Sequence, residues 1–414
     1  MKFQTPRGTR DFLPEQMLKR QYIFDTVRKV FESWGFDPLE TPAFEDWKLL
    51  AAKSGENVRN EIYNFKDKGG RELGLRFDLT VPLARVVAAN PQLPKPFKRY
   101  AIGRVWRYDR PGSGRWREFW QADVDIVGSP SCEADVECIA VACDALEQLG
   151  FKDFVVRISN RKVIEDFVSS LGIKNITDVL RSIDKLEKTG ESAVIDEMKS
   201  KKISTKAITE IIKFIKSGDG AKKFAGFDEI EKIIECLKDY GYEKYAKIDL
   251  SLVRGLEYYT GAVFEIVTKD AKNSIGGGGR YDNLIAALGG KPTPATGISL
   301  GIERIIELME ERKMLEEKKT SVKIFIVSIG NAKKGVMEVS RKLRSLGIPN
   351  EYDLMARSPA KQLDYANSKG VPYVIFMGEK EIKSKKIKLR NMKSGEEKEI
   401  SMSDLEGLKG LNLC

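Results

Sequence analysis

The chain has 414 residues, with 71 lysines and arginines against 61 acids, a formal net charge of +10 and a pI near 9.1. That length accommodates about two to three domains, and the mild basic excess fits either a polyanionic partner or an ordinary lysine-rich soluble protein. No apolar run approaches a membrane span and no histidine occurs anywhere, which excludes a Ser-His-Asp triad, a histidine-liganded zinc and histidine acid–base catalysis. The opening MKFQTPRGTRDFLPEQ lacks an apolar h-region and carries acids, so it reads as neither signal nor transit peptide. Five cysteines, at 132, 138, 143, 236 and 414, form no CxxC and are odd in number. They read as free thiols in a reducing cytoplasm.

Residues 14–34 are predicted to form a helix, with Ile23, Val27, Val30, Phe31 and Trp34 on one face and Gly35 as its stop. FDPLETPAFED is held extended by Pro38 and Pro42. A helix leading into such a strand is either an ordinary packing unit or a dimer interface. LGLRFDLTVPLARVVA, 73–88, reads as a strand and then a helix, with Thr80 as N-cap and Pro82 early in the helix. RYAIGRVWRYDRPGSGRWREFWQADVDIVG, 99–128, reads as a long antiparallel hairpin broken at Pro111-Gly112-Ser113-Gly114. It is loaded with Arg104, Arg107, Arg110, Arg115 and Arg117, interleaved with tryptophans and Phe119. Arginine with aromatic surface suits a nucleotide, phosphates on the guanidinium forks and the base stacked. A nucleic-acid contact patch has the same composition. A helix over 131–149 and a strand over 153–158 follow.

Near residue 161 the texture changes. Helices at 206–215 and 229–238 carry Ile208, Ile211, Ile212 and Ile215, then Ile230, Ile233, Ile234 and Leu237, on single faces. Lys199, Lys201, Lys202, Lys206, Lys213 and Lys216 cluster nearby. This reads as a small basic helical domain inserted into a sheet domain, with the sheet resuming at 248–268 and 273–282. Those stretches hold LVRGLEYYTG (252–261) and IGGGGRYD (275–282), each with an arginine among tyrosines beside glycine. Arginine offers a planar fork for phosphate or carboxylate, and glycine lets backbone approach a ligand. A hairpin turn with exposed charges accounts for one such segment. Two in a short span, joined to the arginine hairpin upstream, point to a ligand site.

TGISLGIERIIELMEE, 296–311, is a strand running into a helix with Arg304 near its start, and 311–321 is a charged linker. Beyond it come the strand VKIFIVSIG and a helix with Val336, Val339, Leu343 and Leu346 on one face, stopped by Gly347. A short strand, a helix opened by Ser358-Pro359 and the strand VPYVIFMG complete an α/β pattern with a parallel-rich sheet. The last strands carry Lys383, Lys385, Lys386, Lys388 and Arg390, which is either a solvated strand or an RNA-backbone contact. Three motif matches carry nothing. Gly297-Ile298-Ser299-Leu300-Gly301 has the G-x-S-x-G spacing but no histidine to activate its serine. The glycines at 276–279 are followed by Tyr281 where G-x-G-x-x-G needs glycine. Asp123-Val-Asp125 is a weak DxD metal signal.

These segments resemble the class II aminoacyl-tRNA synthetases, and the chain is similar nearly end to end to the histidyl-tRNA synthetases. The helix and strand up to Pro42 look like motif 1, the arginine hairpin like motif 2, and GISLGIERI like motif 3. LVRGLEYYTG and GGGGRYD are similar to the two stretches peculiar to the histidyl enzymes, while LRFDLT and QADVDIVG look like their archaeal and eukaryotic branch. Asp109 departs from the glutamate usual in motif 2.

The resemblance implies an α+β fold. Its parts are a seven-stranded, mostly antiparallel class II sheet flanked by helices, an inserted helical domain and a C-terminal α/β anticodon-binding domain. The implied boundaries are 1–160 and 248–312 for the two parts of the catalytic core, 161–247 for the insertion, 313–321 for a linker and 322–414 for the anticodon module. A cytoplasmic homodimer acting on ATP, L-histidine and tRNA(His), with Mg²⁺ and without a membrane, is expected. By the same resemblance Arg107 and Arg254 are catalytic and meet both the α-phosphate and the substrate carboxylate. Arg115 grips the outer phosphates, and Phe119 and Arg304 sandwich the adenine. Asp78, Thr80 and Gln121 take the α-amino group. Asp125 and Tyr259 bind the imidazole, with Tyr258 alongside and Tyr281 lining the pocket. No residue is assigned to a metal. The alternative is a non-catalytic protein like the regulatory subunit of ATP phosphoribosyltransferase, which normally lacks the C-terminal module.

Overall fold

The computed structural model describes residues 3–52, 56–110, 112, 114–253, 258–270 and 274–410. The chain divides into two compact units, Met1–Arg10 with Ile23–Met314 and Asp11–Tyr22 with Leu315–Cys414. The strands of the first unit are β1 (Asp37–Pro38), β2 (Phe44–Asp46), β3 (Asn64–Lys66), β4 (Glu72–Leu75), β5 (Phe97–Trp106), β6 (Glu118–Val127), β7 (Phe154–Asn160), β8 (Ala246–Ile248), β9 (Ala262–Thr268), β10 (Gly276–Arg280) and β11 (Ala295–Gly301). Eight of them form one sheet in the order β1-β5-β6-β11-β10-β9-β7-β8, and β2-β4-β3 form a small second sheet. The large sheet is antiparallel except at its rims, where β1 runs parallel to β5 and β8 parallel to β7. It has one strand more than the seven implied. Over 248–268, where the sheet was expected to resume, β8 ends at Ile248 and β9 begins only at Ala262, and the two flank β7 on opposite sides.

Local sequence explains these elements. The helix Cys132–Gln148 buries Val136, Ile139, Val141 and Leu146 with small residues between them, so it packs closely on β6 and β11. In the helix Thr205–Ser217 the Ser204 hydroxyl accepts from Ala207 N at 3.2 Å, and Ile208, Ile211, Ile212 and Ile215 are buried. Thr80 is not an N-cap. The helix Thr80–Ala89 starts with it, and Asp78 Oδ1 accepts from Val81 N at 3.0 Å instead. The helices from Arg161–Ser170 to Phe227–Asp239 lie between β7 and β8 in the chain, within the same compact unit as the sheet.

The glycine run at 276–279 is strand β10, hydrogen-bonded on both sides, with Gly278 opposite Ile298 and Phe264. A Cβ on Gly278 would collide with the carbonyl oxygen of Gly297, and one on Gly297 with the carboxylate of Asp125. These two glycines therefore serve close approach inside the protein.

In the second unit β12 (Ile324–Ser328), β13 (Asn350–Tyr352), β14 (Tyr373–Met377), β15 (Lys386–Asn391) and β16 (Glu397–Ser401) form a sheet in the order β13-β12-β14-β15-β16. The first three strands in that order are parallel, and β15 and β16 join antiparallel. Alternate residues of β12 feed two cores. Ile324 and Ile326 pack with Val336, Val339 and Leu343, and Phe325 and Val327 pack with Ala366 and Val374. Lys383 belongs to the helix Glu379–Ser384, and Lys385 follows it with φ of 55°. Lys386 and Lys388 pair across the ladder with Glu399 at 2.6 Å and Glu397 at 3.8 Å. That pairing favours a solvated strand over an RNA contact there.

Gly278→Ala is expected to destabilise the first unit by about 1–3 kcal/mol, because backbone on β11 cannot yield as a flexible side chain can. A urea midpoint equal to that of the wild type would contradict this.

Candidate active site

Side chains alternate across a strand, so Gln121, Asp123 and Asp125 of β6 share one sheet face. Their registered neighbours are Gly301, Ser299 and Gly297 on β11, and Gly103, Ala101 and Arg99 on β5. Glycine and alanine at four of these six places leave a cavity above the acids. It has two adjoining lobes. One is lined by Arg107, Arg115, Trp116, Phe119 and Arg304. The other is lined by Asp78, Thr80, Asp125, Tyr258, Tyr259 and Tyr281. Arg107, Arg115, Gln121 and Arg304 border both. The structure thus gathers every expected site residue but one around a single cavity. Arg254 lies outside the described residues.

In the arginine lobe, Arg107 Nε donates to Phe77 O at 3.0 Å, and its guanidinium lies 5.2 Å from the Phe119 ring centroid. This pins the fork where the lobes meet. Arg115 pairs with Asp109 at 3.3 Å, so Asp109 braces an arginine of the lobe. Arg304 Nη1 donates to Ser274 O. Glu303 Oε2 accepts from Trp120 N at 2.8 Å. A planar base and an array of anionic oxygens suit this combination of rings and forks.

The acidic lobe is buried. Arg99 and Asp125 form an ion pair at 2.7 Å, with side chains 1% and 3% exposed. Tyr281 donates to Asp125 Oδ1 at 2.5 Å, and Arg99 also donates to Leu79 O at 2.9 Å. Tyr258 donates to Asp78 Oδ2 at 3.4 Å. Burial raises the Asp78 carboxyl to about 6, against the pull of the Val81 N–H and Arg107. Burial raises Asp123 further, to about 7; Arg99 opposes the rise, while Asp125 and Asp78 add to it. Asp125 is raised by burial too, with Arg99 and Tyr281 opposing. Among the described residues no group of three or more Asp, Glu or Cys side chains could hold a metal ion.

Other arginines of the ligand-like segments are structural. Arg280 is buried; it donates to Asp135 Oδ2 at 2.6 and 3.0 Å and to the carbonyls of Ser129 and Ser131. Arg104 pairs with Glu118 at 2.9 Å, and Arg117 donates to Asp109 O while lying over Tyr108. Sequence reasoning did not assign Arg99, Ser299 or Glu303. Arg99 carried one signal, an arginine on the face of β5 that the hairpin's alternation turns toward Asp125.

An antiparallel sheet with an arginine-lined lobe joined to an acidic one on its face is the architecture of a class II aminoacyl-tRNA synthetase. Residues 8–305 match the family described as histidyl-tRNA synthetase, and residues 323–408 match an anticodon binding domain. The chain belongs to the histidyl-tRNA synthetase family. Relatives named histidine–tRNA ligase include those of Thermococcus kodakarensis, 38% identical over 416 residues and 95% of each chain, and Korarchaeum cryptofilum, 40% over 403 residues and 93% of each. A histidyl-tRNA synthetase from a Nostoc species superposes with a TM-score of 0.84 at 32% identity, covering 99% of both chains. A Bacillus halodurans protein described as an ATP phosphoribosyltransferase regulatory subunit/histidyl-tRNA synthetase gives 0.77 at 25%, covering 91% of this chain and 99% of its own.

The raised acids make ligand-free stability depend on pH. The folded protein keeps protons on Asp78 and Asp123 that the unfolded chain releases near 3.8. Stability therefore falls as pH rises from 3.8 through about 6 and about 7, then levels off. Asp123→Asn is expected to gain on the wild type across that window. Its ligand-free Tm should exceed the wild type's by about 2–4 °C at pH 8 and by less at pH 5. A calorimetric difference that does not vary with pH would refute this reading of Asp123.

Proposed function

We propose that the protein is a histidine–tRNA ligase. It activates L-histidine with ATP, giving histidyl-adenylate and pyrophosphate, and then transfers the histidyl group to the terminal adenosine of tRNA(His). The observation that carries this reading is the continuity of the two lobes. A polyanion over Arg107 and an amino acid with its ammonium group over the acids would meet at the boundary formed by Arg107 and Gln121.

The first step needs alignment and charge neutralisation more than proton transfer. The histidine carboxylate oxygen attacks the α-phosphorus, a new P–O bond forms, and the bond to the β-phosphate oxygen breaks with its electron pair leaving on pyrophosphate. The attacking carboxylate is already ionised, so no base is required. Arg107 holds the α-phosphate near the substrate carboxylate, and Arg254 completes that grip from the other side. Arg115 meets the outer phosphates, where Mg²⁺ arrives as the nucleotide's own counter-ion. Phe119 and Arg304 take the adenine. On the amino-acid side Asp78, Thr80 and Gln121 receive the α-ammonium. Asp125 and Tyr259 face the imidazole, with Tyr258 and Tyr281 closing the wall. Asp125 is held by Arg99 and Tyr281, and its oxygens keep lone pairs for an imidazole N–H. Apolar rivals would leave these groups unpaired, which supports selectivity of about 10⁴–10⁵.

The catalytic core comprises 1–160 and 248–312, and the protein works as a homodimer in the cytoplasm. The loop at 110–117 and the insertion at 161–247 approach the acceptor end of the tRNA; the module at 322–414, beyond the linker 313–321, holds the anticodon. No described helix is long and apolar enough to cross a membrane. The regulatory-subunit reading is disfavoured by the anticodon-domain match at 323–408.

ATP–pyrophosphate exchange with each of the twenty amino acids tests the reading. Exchange should depend on histidine alone and be lost in Arg254→Ala. Histidine binding without exchange would point to a regulatory protein. Asp125→Ala should raise KM for histidine by about tenfold or more while moving KM for ATP little; equal effects on both would remove Asp125 from the imidazole subsite.

A further inference from the structure

Asp123 was assigned no role above, yet it stands between Gln121 and Asp125 on the cavity face of β6 and is 3% exposed. Each neighbouring carboxylate already has partners within the protein. Asp125 meets Tyr281 and Arg99, and Asp78 meets Val81 N and Tyr258. Asp123 Oδ1 is buried without a hydrogen-bond partner, and so is Gln121 Oε1 two residues away on the same face. Both residues line the acidic lobe.

Ser299 on β11 sets the polarity of this pair. It hydrogen-bonds Asp123, and its oxygen accepts from Gln121 Nε2 at 2.7 Å. A hydroxyl has one proton. An ionised Asp123 can only accept, so it takes that proton and leaves the serine lone pairs for the glutamine N–H. Gln121 must then present its carbonyl oxygen to the cavity. Two buried acceptors side by side with no donor are costly in an empty site and call for a donor-rich cation in a filled one. A neutral imidazole brings a single N–H; an ammonium group brings three. The charges point the same way: Arg107 favours the ionised form of Asp78, while Asp123 and Asp125 share the single guanidinium of Arg99.

We propose that Asp123 is the counter-ion of the substrate's α-ammonium group, sharing it with Gln121 through an acceptor pair that Ser299 orients. This deepens the histidine-activating function proposed above and rests on it. Asp123 thereby selects for a free amine, and Asp125 is left to the imidazole.

The test is Asp123→Asn, close to isosteric with the wild type, with two probes measured by calorimetry and by inhibition of exchange. One is L-histidine. The other is L-β-imidazolelactate, in which a hydroxyl replaces the ammonium. Histidine should bind the variant about 10–100-fold more weakly than the wild type, the range for one charge-assisted hydrogen bond. Imidazolelactate inhibition and KM for ATP should change by less than about threefold, because neither ligand carries the ammonium that Asp123 pairs. Histidine affinity kept within that limit would overturn the proposal, as would an equal loss of both ligands, which would mean a damaged pocket. Failure of the wild type itself to bind histidine would overturn the proposed function, and the role of Asp123 with it.

Discussion

The site depends on the register of β6 between β5 and β11. Side chains on a strand repeat every two residues. A slip of one residue would turn Gln121, Asp123 and Asp125 to the opposite face and bring their neighbours in. Glycine is what holds this register. Gly297 lies opposite Asp125 and leaves room for its carboxylate, while Gly278 lets β10 close on β11. The Arg99–Asp125 pair, buried on the same row, penalises any other alignment, because it would leave a charge uncompensated.

The arginines of this chain divide by what already holds them. Arg280 has all its partners inside the protein and works as a clamp between β10 and the start of the helix Cys132–Gln148. Arg157 likewise spans Asp249, Glu265, Ser251 and Glu187, tying β7 to β9 and to the helices that follow β7. Arg107, Arg115 and Arg304 instead border the cavity. The acids follow the same division. Asp135 is paired with Arg280 away from the cavity, whereas Asp123 lines the cavity and has an oxygen without a partner there. Unsatisfied buried polar atoms are uncommon in folded proteins, and one that lines a cavity is open to a ligand's donor.

Much of this was legible beforehand. The period of Ile208, Ile211, Ile212 and Ile215 specified a helix, because a helical face repeats every three to four residues whatever surrounds it. The arginine–aromatic hairpin specified a strand pair, and its similarity to known motifs specified the ligand classes. The reading of Gly276–Gly279 as room for a ligand was legible only in part. A strand of glycines looks the same whether a ligand or a neighbouring strand fills the space. Arg280 was misread for a related reason. Its fork suits a substrate carboxylate and Asp135 equally well, and 145 residues separate it from that partner.

The elements, the family likeness and the residue types able to meet phosphate, ammonium and imidazole are legible in the amino-acid order, because they follow from local periodicity and from the chemistry of single side chains. Tertiary structure decided which of those residues are available. Availability depends on partners brought together by register across β5, β6 and β11 and by burial that strips water from the acids, and neither is encoded within any one segment.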